Sequence, residues 1–154
     1  GSFNSRAMRG TANYLHLGEY RLCVAVPQGH PLAARKELSL DDLHGERLVM
    51  VKSGDTELLD HFHDMMTMTH PQIIIEESGY YYDMDTCNTC EQTGSLLLTL
   101  DAWADIHPSL VTLPVNWAYK VPYGILYAKR PSEDVKRFMK IIKEHYKYAH
   151  FTSS

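Results

Sequence analysis

Three stretches of this 154-residue chain carry the residue types that could do chemistry. DMDTCNTCEQTG (residues 83–94) holds Cys87 and Cys90 at a Cys-x-x-Cys spacing, which suits a redox dithiol or half of a zinc site. It equally suits two small apolar residues on the inner face of a helix, since a three-residue step puts both thiols on one side. Asp83, Asp85 and Glu91 bring negative charge beside the thiols and work against a reactive thiolate.

KSGDTE (residues 52–57) stands between the end of a strand-like run and the start of a helix-like one. In open α/β sheets, ligands bind outside the carboxyl ends of the strands. A helix start presents unpaired N–H groups and partial positive charge. Ser53, Gly54, Asp55 and Thr56 are therefore candidate ligand contacts, and Lys52 could add a cation. An ordinary helix cap by Ser53 or Asp55 is a compatible role. Asp55 and Glu57 place negative charge at that helix start, which weakens the case for an anion. SGYYYD (residues 78–83) follows the next strand-like run. Three consecutive tyrosines cannot share one helix face, so Ser78 and Tyr80 join the candidate contacts, with Tyr81 and Tyr82 assigned to packing.

Other constellations are absent from the sequence. It has no Gly-x-Ser-x-Gly elbow, His-Glu-x-x-His pair or phosphate-cradling loop, and Asp83 and Asp85 diverge on a helix. The nine histidines are scattered; His61 and His63 would sit about 200° apart around a helix, so they do not share an ion readily. The chemistry points to a binding module without catalytic residues, metal or cofactor.

The elements that position these residues follow from periodicity. Apolar runs at 20–27, 47–51, 73–77, 95–100, 110–115 and 122–129 read as strands. Leu58, Leu59, Phe62, Met65 and Met66 recur at helical spacing over 56–69, ended by His70-Pro71. A helix is expected over 80–93, a short one after Ser39 with Gly45 as its stop, a helical turn near 102–106, and a last helix from Ser132. Residues 1–19 read as a loose lead-in. The alternation predicts α/β layers around a largely parallel sheet. Fifteen Lys and Arg against nineteen Asp and Glu give a formal charge of −4, unsuited to binding nucleic acid by itself. The apolar runs are too short to span a bilayer, and three cysteines suit a reducing cytoplasm.

LCVAVPQGHPLAARKELSLDDLHGERLVMV (residues 22–51) closely resembles the effector-binding region of LysR-type transcriptional regulators. His30-Pro31-Leu32-Ala33, Leu40, Asp42-Leu43 and Gly45-Glu46 match that family's pattern in order and spacing. TGSLLLTLDAW is a degraded match to its glycine turn and strand, with Gly94 at the first glycine, Leu96 at the second and Asp101 in place of the proline. VPYGILYAKRPSEDVKRF resembles the closing strand and helix.

The resemblance implies an α/β fold like type II periplasmic binding proteins: two lobes joined by two crossing strands, with a ligand between them. It implies a lead-in over 1–19, lobe two with its crossing strands over 20–129, and a helix returning to lobe one over 130–154. Lobe one would be largely missing, and leucine-like core positions would fall at Cys87 and Cys90. The function implied is sensing of a small-molecule effector. DNA would be a partner only through a winged helix-turn-helix absent from this chain, which alone should not bind DNA specifically. A transporter's solute-binding protein, or a thiol or zinc protein built on Cys87 and Cys90, are the alternatives. The stripe Val135, Phe138, Met139, Ile142 and Tyr146, together with the 56–69 helix, suggests a homo-oligomer.

Overall fold

The computed structural model describes residues 10–54, 56–79 and 82–152, with side chains described through residue 146. Along the chain run β1 (Ala12–Pro27), β2 (Arg47–Met50), α1 (Glu57–Thr69), β3 (Ile74–Glu77), α2 (Met84–Thr93), β4 (Leu96–Leu100), β5 (Leu110–Pro114), β6 (Lys120–Ala128) and α3 (Glu133–Thr152). Short 3₁₀ turns occupy Pro31–Ala34, Asp41–Leu43 and Asp101–Trp103. The chain forms two compact units, one of Glu19–Val121 and one of Gly1–Gly18 with Pro122–Ser154. Among the described residues, no helix is long and apolar enough to cross a membrane.

In the larger unit the strands lie in the order β3-β2-β4-β1-β5. β2 runs parallel to β3 and β4, but β1 runs antiparallel to β4 and to β5. The sheet is therefore mixed, not largely parallel as the alternation predicts. Helices α1 and α2 link β2, β3 and β4 and force those strands parallel. β1 has no helical crossover to either neighbour, so the rule does not reach it.

Each face of this sheet carries its own core. On one, Leu22, Val24, Val26, Leu48, Met50, Leu96, Leu98 and Leu113 pack under Phe62 and Met66 of α1. Phe62 is fully buried, and burying such a side chain contributes roughly 1.5–3 kcal/mol. On the other face, Ala25, Val49, Leu97 and Leu110 meet Cys87 and Cys90 of α2, with Tyr82 against them. α2 begins where the Asp83 carboxylate accepts the Thr86 N–H at 2.8 Å and ends at Gly94, whose φ of 72° closes the helix. The short helix expected after Ser39 is the Asp41–Leu43 turn, entered through a reciprocal pair of bonds: Ser39 Oγ accepts the Asp42 N–H, and Asp42 Oδ2 accepts the Ser39 N–H.

In the smaller unit, β1 starts at Ala12, well inside the expected lead-in. Residues 13–17 alternate with period two, Asn13, Leu15 and Leu17 half-buried and Tyr14 and His16 exposed. β6 pairs with β1. The strands approach so closely at Gly124 that a Cβ there would lie 2.0 Å from the Leu15 carbonyl oxygen, and only glycine fits. α3 buries Met139 and half-buries Val135, Ile142 and Tyr146, while Phe138 stays 53% exposed and falls outside the buried part of the predicted stripe.

Candidate functional site

The strand directions bring four connections to one edge of the larger unit. β2, β3, β4 and β5 all end there, so among the described residues 51–54 and 56, 78–79 and 82–83, 101–105 and 116–120 line the carboxyl edge, joined by residues 19–21 entering β1. Among the described candidates, Lys52, Ser53, Gly54, Thr56 and Ser78 all fall on it. Asp55 and Tyr80 lie outside the described residues.

The first of these connections is held by carboxylates of the protein itself. Ser53 donates both its N–H, at 3.2 Å, and its hydroxyl to Glu77 Oε1 at the end of β3. The Gly54 N–H donates to Asp60 Oδ1 in the first turn of α1 at 2.6 Å. Lys52 N–H reaches the Gly79 carbonyl at 3.1 Å, and Ser78 N–H the Met50 carbonyl at 2.7 Å. Gly54 has a φ of 115°, a conformation open to glycine alone, and this turns its N–H back toward α1. Thr56 precedes α1 without a side-chain cap bond, and Ser53 spends its hydroxyl on Glu77, so neither caps the helix. The Ser53 hydroxyl, then its N–H, holds the Glu77 carboxyl below the ordinary glutamate range, with His63 and Lys52 adding to the shift. The expected anion nest is thus already occupied by protein carboxylates.

Tyr82 packs as expected. Its hydroxyl oxygen accepts the Val51 N–H at 3.2 Å, and burial pushes its pKa upward. The two thiols of α2 are buried against the sheet. Burial raises both, Cys90 to about 11, helped by Cys87 and Glu76, and Cys87 with help from Asp83. A redox thiolate needs the opposite shift. Among the described residues no group of three or more His, Cys, Asp or Glu is placed to hold a metal ion.

Sequence reasoning missed the other end of this edge. An open pocket of about 610 Å³ is lined by Glu19, Arg21, Asp101, Trp117, Tyr119 and Lys120. Its aromatic wall is fixed from beneath: Phe62, Trp117 and Tyr119 meet edge to face, with ring centroids 5.1 to 5.7 Å apart. Trp117 Nε1–H donates to the Leu22 carbonyl at 2.7 Å, which fixes the indole. Asp101 Oδ1 accepts the Arg21 N–H at 3.2 Å, and Lys120 Nζ stands 4.0 Å from Glu19 Oε2. The available signal was Asp101 itself, an acid where the resembled pattern has proline.

Proteins of known kind are similar to this chain in sequence or in fold. HTH-type transcriptional regulator CysL of Bacillus subtilis (strain 168) is 49% identical over 45 residues, which is 28% of this chain and 15% of that regulator. The match therefore spans much less than two thirds of that relative's length. The BenM effector binding domain with its effector benzoate is 18% identical, with a TM-score of 0.67 over 92% of this chain and 66% of that one. Full-length CbnR complexed with target DNA is 16% identical, with a TM-score of 0.68 over 88% of this chain and 48% of that one. At such identities these structures speak for the fold, which is the type II periplasmic-binding-protein-like α/β arrangement. The model of the LysR substrate binding domain matches residues 9–147, so the chain belongs to that family.

Proposed function

We propose that this chain is the effector-sensing part of a LysR-type transcriptional regulator, and that it binds its ligand without transforming it. The observation that carries the reading is the carboxyl edge: four strands end there, and where β4 and β5 end beside the start of β1 a pocket opens with a rigid aromatic wall and charged side chains. Family membership supports it, as do the benzoate held by BenM and the DNA held by CbnR. A small molecule at this edge, between the lobes of the complete domain, favours one lobe arrangement. Attached winged helix-turn-helix domains then sit differently on their operator. Residues 19–121 supply lobe two, and the complete regulator works as an oligomer.

A metabolite panel screened by thermal shift on this chain, followed by footprinting of the full-length regulator, tests the reading. Compounds that raise the melting temperature should change the footprint or the transcription of a target promoter. Stabilising compounds that leave both unchanged would overturn it.

A further inference from the structure

Resting on the reading that the effector sits at this edge, we propose that the effector is a small zwitterion of amino-acid type. Its carboxylate is taken by Arg21, not by residues 52–54. Two independent observations lead there. First, the edge has two places where a carboxylate would be expected, and one is filled. The Ser53 N–H and hydroxyl and the Gly54 N–H point at Glu77 and Asp60. An incoming anion would have to displace Glu77 and meet its charge and that of Asp60.

Second, the pocket at the other end offers an unengaged cation. Arg21 hydrogen bonds through its backbone N–H, and no described side chain pairs with its guanidinium. A guanidinium presents a planar fork of donors that matches a carboxylate, and it stays charged at every relevant pH. The same pocket carries two carboxylates, Asp101 and Glu19, whose described contacts fall on one oxygen each. They suit the ammonium group of the same ligand. Trp117 and Tyr119, held rigid by Phe62, supply ring faces for its apolar part and for a cation beside it. Lys120, the pocket's second cation, stands 4.0 Å from Glu19, which leaves Arg21 for a carboxylate and Asp101 for an ammonium.

The test uses the chain with Trp103→Phe, which leaves Trp117 as the sole indole. Each proteinogenic amino acid is titrated singly while Trp117 emission is followed. Each one that binds is then compared with its decarboxylated amine and its deaminated acid. Saturable binding of an amino acid is expected, with each singly charged analogue weaker by at least about tenfold. Arg21→Ala should remove the preference for the amino acid over the amine, and Asp101→Asn the preference over the acid. The melting temperatures of both variants serve as the folding control, and Arg21→Lys should restore binding partially. Equal affinity for a singly charged analogue overturns the zwitterion assignment while leaving the edge as the effector site. So does a carboxylate that perturbs the Ser53 and Gly54 amide resonances in place of Trp117. Absence of any saturable response also overturns the assignment, whereas perturbations confined to residues away from this edge overturn the underlying effector reading.

Discussion

The two edges of the larger unit's sheet are closed by different chemistry. At the carboxyl edge the closing groups are exposed carboxylates: Glu77 on Ser53, Asp60 on Gly54, Asp83 on Thr86 and Asp101 on Arg21. At the amino edge they are imidazoles. His30 accepts the Leu32 N–H at Nδ1 and meets Glu46 through Nε2 at 3.0 Å. His107 accepts the Ser109 N–H and faces Asn88 at 3.1 Å. His44 Nε2 and His70 Nδ1 meet at 3.0 Å with ring centroids 5.3 Å apart, nearly head on, one donating to the other. Histidine can fill both a donor and an acceptor place with one rigid ring, which suits partly buried turns that no ligand has to enter. Carboxylates on mobile stems can exchange partners, which suits an edge that does. Four of the nine histidines, His30, His44, His70 and His107, are thus turn-closing residues.

Four experiments would break or sharpen that contrast. The largest effect belongs to Phe62→Ala, which removes the support under Trp117 and Tyr119. It should cost about 3–5 kcal/mol in urea unfolding and shift Trp117 emission to the red. A loss below about 1 kcal/mol would mean that the aromatic wall does not depend on α1. Next, His44→Ala should lower stability by about 1 kcal/mol, with the His70 ring resonances moving and the carboxyl-edge amides unchanged. Glu77→Gln should change global stability by only a few tenths of a kcal/mol, as expected of exposed polar contacts. Hydrogen exchange at Ser53 and Gly54 should nevertheless accelerate, while Gly45, bonded to the Gln72 carbonyl, keeps its protection.

The smallest effect concerns acid. Glu77 and Asp83 are held below their ordinary values, Glu77 first by the Ser53 hydroxyl and Asp83 first by the Thr86 N–H. Their contribution is complete above the ordinary carboxylate range and is lost as pH falls through the lowered values. Asp42, lowered mainly by the Ser39 N–H, is the amino edge's one comparable group. Below about pH 4 the 52–54 and 83–86 amides should lose exchange protection together. Simultaneous loss at the His30 and His107 turns would erase the distinction between the edges.

What the sequence made legible was local. α1 and its stop at His70-Pro71 follow from spacing, as does the burial of Cys87 and Cys90 on one face of α2, ending at Gly94. The 52–56 loop could be placed at a strand end for the same reason. What was not legible depends on pairing between distant residues. That β1 enters antiparallel between β4 and β5 is decided by residues near 100 and 114. That Ser53 is already satisfied depends on Glu77, a strand and a helix later. The Arg21 pocket needs residues 19–21, 101 and 117–120 together, and no window of sequence contains them.

The central position of β1 also bears on how the chain is made. LCVAVP leaves the ribosome well before its partners, for Leu22 pairs with Leu100 and Cys23 with Pro114. Until β4 and β5 have been synthesised, this apolar segment has no native neighbour on either side. Such a segment is a template for wrong pairing with other nascent chains. Folding should therefore be slow for a chain of this length, because closure waits on its most distant contacts. Production of soluble protein should depend more on synthesis rate and temperature than on equilibrium stability, and chaperones that shield extended apolar segments should improve it.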